Sequence, residues 1–480
     1  MNIRSILCVL LLAVLAIFFT ACSNSADDTP TDPIPVTLTA QSVAENAQIS
    51  HETHSIEFSY SAPISIAKAS DIQLNGEQVE AKASGTKLTI SVSLMPGTSY
   101  TLSISSDALC RYNEPANLVS ALTMHFSTLD NTVSPDNVDA APVNPHANNA
   151  ARSVYSYLLS QYGERTLSGV MANVNNNNEY SDLVYQNIGK HPALTCYDFI
   201  HLLYSPANWI DYSDTTPAET QWKAGGLVSY MWHWLAPSAA DETDPSKYGF
   251  APTGSNSGNP ETDFDIREAL KEGTWQHTFI LNDIDKVASV LKQLQDKGIA
   301  VLWRPLHEAA GNYEGNNNGA WFWWGRYGTG YTKQLWRLMY DRLVNHHGLN
   351  NLIWVWTVEV KDGFGQQAAD AYPGNDYVDI VGADIYEENT NSKYKAFQFV
   401  NTVTGGHKMV TLSECGNVPN PTSCYASGDT WSWFMVWYGR DKDGHLVLSG
   451  NSTFMTENYW KQLGSNERIV WRENMPARQS

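Results

Sequence analysis

The sequence predicts a (β/α)8 barrel, an α/β fold, preceded by a small all-β sandwich. Three observations lead there. From residue 151 onward, eight buried-looking apolar runs alternate with helix-patterned stretches, as a series of βα units should. Between residues 36 and 129 the chain shows short runs alternating with period two and punctuated by turn residues. All 17 tryptophans lie between Trp209 and Trp471, so aromatic surface is confined to the later part of the chain.

The N-terminus reads as an address. Arg4 precedes an apolar run from Ile6 to Phe19, too short to span a bilayer, which meets Thr20-Ala21-Cys22. Phe19-Thr20-Ala21-Cys22 resembles a bacterial lipobox, with Phe at its first position where Leu is commoner. On that reading residues 1–21 are a signal peptide and Cys22 carries lipid; a plain cleaved signal with an incidental Cys is the alternative. Residues 22–35 form a tether opening Ser23-Asn24-Ser25-Ala26-Asp27-Asp28. Acidic residues behind the lipidated Cys resemble the surface-export signal of lipoproteins in some glycan-degrading Gram-negative bacteria. The expected location is therefore the outer membrane or cell surface. Cys110, Cys196, Cys415 and Cys424 remain, too sparse for a disulfide scaffold, although Cys415 and Cys424 are close enough in sequence to pair.

Residues 36–129 supply the sandwich. Candidate strands are Ser55–Tyr60, Lys87–Val92 and Tyr100–Ile104, with turns at Asn75-Gly76 and Pro96-Gly97. The stretch resembles bacterial immunoglobulin-like modules through Met95-Pro96-Gly97-Thr98-Ser99-Tyr100 and Met124-His125-Phe126-Ser127-Thr128. Lacking Trp, it reads as a spacer rather than a sugar-binding module. A linker rich in Asn, Pro and Asp occupies residues 130–150.

The barrel is assigned to residues 151–478. Its expected strands are Thr166–Met171, Ala193–Phe199, Gly226–Trp232, Ala300–Pro305, Leu352–Trp356, Ile380–Asp384, Met409–Ser413 and Trp433–Trp437. Helix-patterned stretches such as Ile284–Lys297 and Tyr331–Asn345 lie between them. In such a barrel the chemistry sits at the C-terminal strand ends. Two segments end there in carboxylates: Val301-Leu302-Trp303-Arg304-Pro305-Leu306-His307-Glu308, on strand four, and Val410-Thr411-Leu412-Ser413-Glu414-Cys415-Gly416, on strand seven. A Glu closing a buried strand must be paired or working. Glycosidic hydrolysis needs one protonated carboxyl and one charged one, and a barrel mouth can hold such a pair. Structural ion pairs are the competing reading, and spacing alone does not choose.

A wider set of motifs does. Arg304-Pro305-Leu306-His307-Glu308 followed by Gly319-Ala320-Trp321-Phe322-Trp323-Trp324-Gly325 resembles the signature of glycoside hydrolase family 26, known chiefly for β-mannanases. Ser229-Tyr230-Met231-Trp232-His233-Trp234, Tyr331-Thr332-Lys333-Gln334-Leu335-Trp336-Arg337, Asn351-Leu352-Ile353-Trp354-Val355-Trp356, Asp379-Ile380-Val381-Gly382-Ala383-Asp384-Ile385-Tyr386 and the Glu414 segment extend the resemblance from about Arg152 to Arg472. It implies Glu308 as general acid/base and Glu414 as nucleophile. His307 would fix the sugar and the carboxylate, and Tyr386 would hydrogen-bond the nucleophile. His233 and Trp321 would line the cleavage point, with Trp437 as the aromatic floor at −1. Arg304, Trp232 and Trp324 complete the expected substrate-binding set, and Trp323 is a weaker candidate. Retention of configuration by double displacement follows, with carboxyl groups about 5–5.5 Å apart.

One segment departs from the family's pattern. Asn312-Tyr313-Glu314-Gly315-Asn316-Asn317-Asn318 intervenes before Trp321, on the leaving-group side, and puts subsite preference in doubt. The expected substrate is mannan, galactomannan or glucomannan. Another β-glycan, such as mixed-linkage glucan or xylan, is the nearest alternative; a non-catalytic glycan-binding lipoprotein is the second. Trp303, Trp354 and Trp356 lie within strands, where they either fill the barrel or touch ligand.

No cofactor or metal is expected. His307-Glu308 is not a His-Glu-x-x-His motif, because Gly311 stands where the second His would. Asp441-Lys442-Asp443-Gly444 lacks the later ligands of a calcium loop, and His346-His347 suits a helix end. With 30 Lys+Arg against 50 Asp+Glu and a net charge of −20, the chain is unsuited to tracking nucleic-acid phosphates. The expected partners are the glycan and, through Cys22, a membrane; the expected state is a monomer.

Overall fold

The computed structural model describes residues 35–49, 53–94, 97–128, 137–255, 258–311, 320–360, 365–450 and 452–476. The expected signal peptide, Cys22, nearly all of the tether, Pro96, the insertion at 312–318 and the front of the linker lie outside them. The chain divides into two compact units.

The front region is all-β, with sheets of four, three and five strands. Alternation dictates its faces: in Ser55–Tyr60, Ile56, Phe58 and Tyr60 are buried while Ser55 and Glu57 are exposed. Asn75-Gly76 makes a two-residue hairpin loop between Ile72–Leu74 and Glu77–Gln78, with φ of 52° and 85°. Both residues need positive φ in that turn, which Asn and Gly tolerate best.

The second unit is a closed parallel barrel of eight strands. They are β1 Gly169–Met171, β2 Leu194–Asp198, β3 Leu227–Met231, β4 Val301–Arg304, β5 Leu352–Glu359, β6 Ile380–Ile385, β7 Met409–Cys415 and β8 Phe434–Val436. Val170 pairing with Val436 closes the ring. Every residue of β2 to β7 is buried, which is why these strands read as apolar runs rather than alternating ones. A helix separates each successive pair. The longest, Trp275–Asp296, buries Ile280, Ile284, Val287, Leu291 and Leu294 at helical spacing, and Thr274 caps it by accepting from the His277 N–H at 3.1 Å.

All eight expected strands are present, with three revisions. Thr166–Met171 is two strands: Thr166–Leu167 pairs with Ile469–Val470 outside the ring, and β1 begins at Gly169. Ser168 breaks the run, because both its N–H and its Oγ donate to the Val470 carbonyl. β5 runs three residues past Trp356 to Glu359, and β7 takes in Glu414 and Cys415. The four cysteines of the described residues are buried and free, so Cys415 and Cys424 do not pair. Trp303, Trp354 and Trp356 are buried on the outer side of their strands: Trp354 packs on Trp336 and Tyr340 of the helix after β4, Trp356 on Tyr372 and Trp303 on Phe199.

β7 carries a bulge. Ala383 pairs with Leu412, but the next residue, Asp384, pairs with Glu414, which leaves Ser413 as an extra residue. A bulge re-aims side chains that strict alternation would send to opposite faces. Ser413 consequently reaches Asp384 and Glu414 reaches Arg304, two members of one buried polar cluster.

The inner wall beside that bulge has no room to spare. A Cβ on Gly382 would stand 2.4 Å from Ser413 Oγ and 2.9 Å from Thr357 Cγ2. Gly382→Ala should therefore destabilise the fold by about 1–3 kcal/mol, the usual cost of overpacking. A denaturant midpoint equal to the parent's would show that the wall yields.

Candidate active site

The barrel strands deliver charges at their C-terminal ends: Asp198 on β2, Arg304 on β4, Glu359 on β5, Asp384 on β6 and Glu414 on β7, all buried. Ionised groups out of water need partners. Arg304 meets most of that need. Its Nη1 donates to Asp384 Oδ2 at 3.0 Å and to Thr357 Oγ1 at 3.1 Å, while Nη2 donates to Glu414 Oε1. Burial works against its charge, yet the Glu414 and Asp384 carboxylates outweigh burial and hold the guanidinium above its ordinary range. Asp384 also accepts from Ser413 Oγ at 2.6 Å; burial pushes its carboxyl up to about 7, although Arg304 pulls the other way. Tyr386, just past β6, donates its hydroxyl to Glu414 Oε2 at 2.6 Å. Both Glu414 oxygens are thus engaged, each by a different donor.

Glu308 follows β4 by four residues, in a turn where Leu306 and Glu308 take φ of 50° and 49°. Side chains rarely adopt that conformation, at about 1–3 kcal/mol each, and it clusters where geometry serves function. The Glu308 N–H donates to the Thr357 carbonyl at 3.2 Å and its carbonyl accepts from Gly311 at 2.9 Å, which pins the turn. Burial first, then the neighbouring Asp384, Glu414 and Glu359 carboxylates, hold its carboxyl well above the usual range. Glu308 and Glu414 therefore differ in environment: one lies in a desolvated, acid-rich corner, the other against a guanidinium and a phenol. That asymmetry suits a proton donor facing a charged carboxylate.

Two imidazoles line the same mouth. His233, just past β3, is held by Asp198, which accepts from its N–H at 3.0 Å and from Nδ1 at 2.5 Å. With Nδ1 committed, Nε2 is the ring nitrogen left for another partner. His307 packs edge-on against His233 at 4.6 Å and beside Phe322 at 4.7 Å. Burial, together with His233 and Arg304, lowers its pKa far below the ordinary imidazole value, so it is neutral. Trp437, past β8, is half-buried, with its ring 5.9 Å from His233.

The structure thus gathers Glu308, Glu414, Arg304, His233, His307, Tyr386 and Trp437 at one end of the barrel. Trp321 is half-buried and closes over Gly311, where a Cβ would come within 2.5 Å of its ring. Trp232 and Trp324 occupy different positions from the sugar-facing ones expected of them. Trp232 is stacked on Trp234 at 4.0 Å and buried. Trp324 is stacked on Phe322 at 4.3 Å, and its indole N–H donates to the His307 carbonyl at 2.9 Å. Trp324 thereby supports His307 from behind. Trp323, also buried, donates to the Trp234 carbonyl at 2.7 Å.

Sequence reasoning did not single out Asp198, Asp384, Glu359 or Thr357. An acid ending a buried run, as in Cys196-Tyr197-Asp198 and Thr357-Val358-Glu359, was the available signal. It also passed over Trp209, which is 51% exposed on the loop after β2, with His201 at 4.9 Å and Tyr204 at 5.7 Å. Among the described residues, Glu308, Asp384 and Glu414 each bring one oxygen within 4.8 Å of the others, a spacing a metal ion could bridge. Arg304 already supplies the positive charge between two of the three, so this donor set is better matched to its guanidinium than to a cation.

The chain is similar to proteins of one family. The family model described as Glycosyl hydrolase family 26 matches residues 143–460, more than half of the chain. A mannan endo-1,4-beta-mannosidase of Thermothelomyces thermophilus is 39% identical over 298 residues, 61% of this chain and 56% of that protein. The chain spans about half the length of the curated relatives it matches. Among solved structures, a beta-mannanase from a symbiotic protist of the termite Reticulitermes speratus, complexed with gluco-manno-oligosaccharide, is 33% identical with a TM-score of 0.59. That match covers 71% of this chain and 99% of the other. The family 26 domain of a Prevotella bryantii endo-beta-mannanase/endo-beta-glucanase is 35% identical with a TM-score of 0.59, over 70% of this chain and 99% of that one.

The raised Glu308 pKa has a signed consequence. A carboxyl that binds its proton more tightly when folded contributes stability below its unfolded value, ~4.3, and loses it as pH rises through the folded value. Glu308→Gln has no such proton to lose. Its stability relative to the parent should therefore climb through the window that opens above about pH 4 and ends at the raised folded value. Unfolding curves showing a constant gap across that window would contradict the burial of an acid here.

Proposed function

The chain belongs to glycosyl hydrolase family 26, and we propose on that footing that it is a retaining endo-β-1,4-mannanase acting on mannan, galactomannan or glucomannan. The observation that carries the proposal is the approach of Glu308 and Glu414, with carboxylate oxygens within 4.8 Å of each other in opposed environments. Inverting enzymes need about 6.5–9.5 Å between carboxyl groups to admit a water, whereas retaining ones work near 5–5.5 Å. The names carried by the similar proteins, and the gluco-manno-oligosaccharide bound to one of them, support mannan as the glycan.

In this mechanism Glu414 attacks the anomeric carbon while Glu308 gives its proton to the departing glycosidic oxygen. A covalent glycosyl ester forms and the leaving-group end of the glycan departs as an alcohol. Glu308, now a carboxylate, takes a proton from water, and the water oxygen displaces Glu414 from the anomeric carbon. Arg304 and Tyr386 hold the two Glu414 oxygens so that its attacking lone pair stays aimed at one point. His233, oriented by Asp198, is placed to bond a sugar hydroxyl, and Trp437 offers a face to the ring held at −1.

The same proposal extends to the whole chain: a lipid anchor at Cys22, tether 22–35, immunoglobulin-like spacer 36–129, linker 130–150 and barrel 151–478, holding a monomeric enzyme at the outer membrane or cell surface. The lipobox-like residues and the acidic run behind them support it.

Two experiments test these statements. Reducing-end release should be rapid on galactomannan and slow on mixed-linkage glucan and xylan. Glu308→Ala should cut the rate on polysaccharide by about 10²–10⁴-fold, the usual worth of a general acid, and Glu414→Ala should abolish cleavage with the fold intact. Substantial turnover by the Glu414 variant would remove it as nucleophile. For the anchor, Cys22→Ala should shift the protein from the membrane fraction to the soluble fraction; retention in membranes would show that the tether rests on something else.

A further inference from the structure

Tyr386 poses a mechanical problem. Its hydroxyl must stay on Glu414 Oε2, at 2.6 Å, yet the residue is 43% exposed. A half-open ring has neighbours on few sides, so packing does little to hold its angle. Its aim depends on the backbone that carries it, residues 386–393 after β6.

That loop is tied from several directions. Lys393, itself buried, donates from Nζ to Glu387 Oε2 at 2.6 Å and to Asn389 Oδ1 at 2.5 Å, drawing the two ends of the loop together. Its backbone N–H donates to Asp429 Oδ2 at 2.9 Å, and Ser392 Oγ donates to Asp429 Oδ1 at 2.7 Å. Asn417, past β7, donates from Nδ2 to the Glu387 carbonyl at 2.7 Å, and the Asn420 N–H donates to the Thr390 carbonyl at 2.8 Å. Ser452, in the loop after β8, donates to Asn417 Oδ1 in turn. A buried ammonium is a costly way to gain stability alone, since an apolar side chain of similar size serves as well or better. What Lys393 adds is direction: it fixes where residue 387 lies, one step from Tyr386.

We propose that Lys393, acting through Glu387 and alongside Asn417, is a positioning residue for Tyr386, clamping the loop after β6 so that the tyrosine hydroxyl stays on the Glu414 carboxylate. The proposal rests on the reading of Glu414 as nucleophile. A slack loop lets Tyr386 leave Oε2, and the carboxylate then samples orientations unfit for attack. Substrate contacts elsewhere are untouched, so the loss falls on kcat rather than on KM.

The test is a double-mutant cycle in the full chain, with thermal unfolding run alongside. Lys393→Met should lower kcat on soluble galactomannan about tenfold with KM changed less than about twofold. In a Tyr386→Phe background, which has no hydroxyl to position, the same change should have little further effect. Equal losses in both backgrounds would overturn the proposal. Glu387→Ala removes a carboxylate that is 58% exposed and tolerable to the fold, and it should reproduce the pattern if Lys393→Met proves unstable. Lys393→Arg should recover part of kcat. A crystal structure of the Lys393→Met or Glu387→Ala variant decides the matter without activity: a displaced Tyr386 hydroxyl supports the clamp, and one still on Glu414 refutes it. If the parent protein cleaves no glycan, the enzymatic reading fails, while that structure still judges the clamp.

Discussion

The arrangement depends on one buried guanidinium. Arg304 ends β4 with its side chain among acids, and by reaching Glu414 and Asp384 at once it supports two carboxylates where burial disfavours their charge. Without it, the acids at the ends of β6 and β7 would repel each other in a medium that screens them poorly. Glu308 lies outside that pairing, and burial first, then the neighbouring carboxylates, keep its proton in place. One cation thus divides the acids into a held, engaged set and a protonated one.

Such an arrangement demands that the backbone depart from regularity at defined points. Alternation along β7 would send Ser413 and Glu414 to opposite faces, and the bulge opposite Asp384 defeats that rule. The turn after β4 defeats another by holding Leu306 and Glu308 at positive φ. Each irregularity is over-determined by its surroundings: Thr357 receives the Glu308 N–H and also accepts from Arg304, while Ser413 is locked to Asp384. Around this centre lies a second layer that holds the first in place. Asp198 commits His233 Nδ1, Trp324 braces His307, and Lys393 ties the loop of Tyr386. A site made of strand-end residues is rigid; one that borrows a residue from a loop needs clamps.

The strands were legible because burial on both faces leaves a continuous apolar run, and β2 to β7 are all of that kind. Where the run contained a polar break, as at Ser168, the pattern gave no sign that the chain leaves one sheet for another. The candidate catalytic pair was legible for a related reason: a Glu terminating an apolar strand is conspicuous. Asp198 and Asp384 end or interrupt similar runs but stand in no motif that marked them individually. Tryptophan was the least informative residue type. Twelve of the 17 are buried, and the half-exposed Trp209 lies outside every motif, because an indole in sequence carries no sign of which way it faces.

By itself the sequence determined the periodicities, hence the barrel and the all-β region before it, and it placed Glu308 and Glu414 at strand ends on one side of that barrel. Those are properties of local spacing, which the chain carries without folding. Only the tertiary structure decided that Arg304 joins Glu414 to Asp384, that Trp232 is buried against Trp234 and Trp324 stands behind His307, that Cys415 and Cys424 remain apart, and that Tyr386 is steered by a lysine seven residues on. These relations link residues on different strands and loops. Their distances follow from barrel closure and from the register of β6 against β7, and no local pattern encodes either.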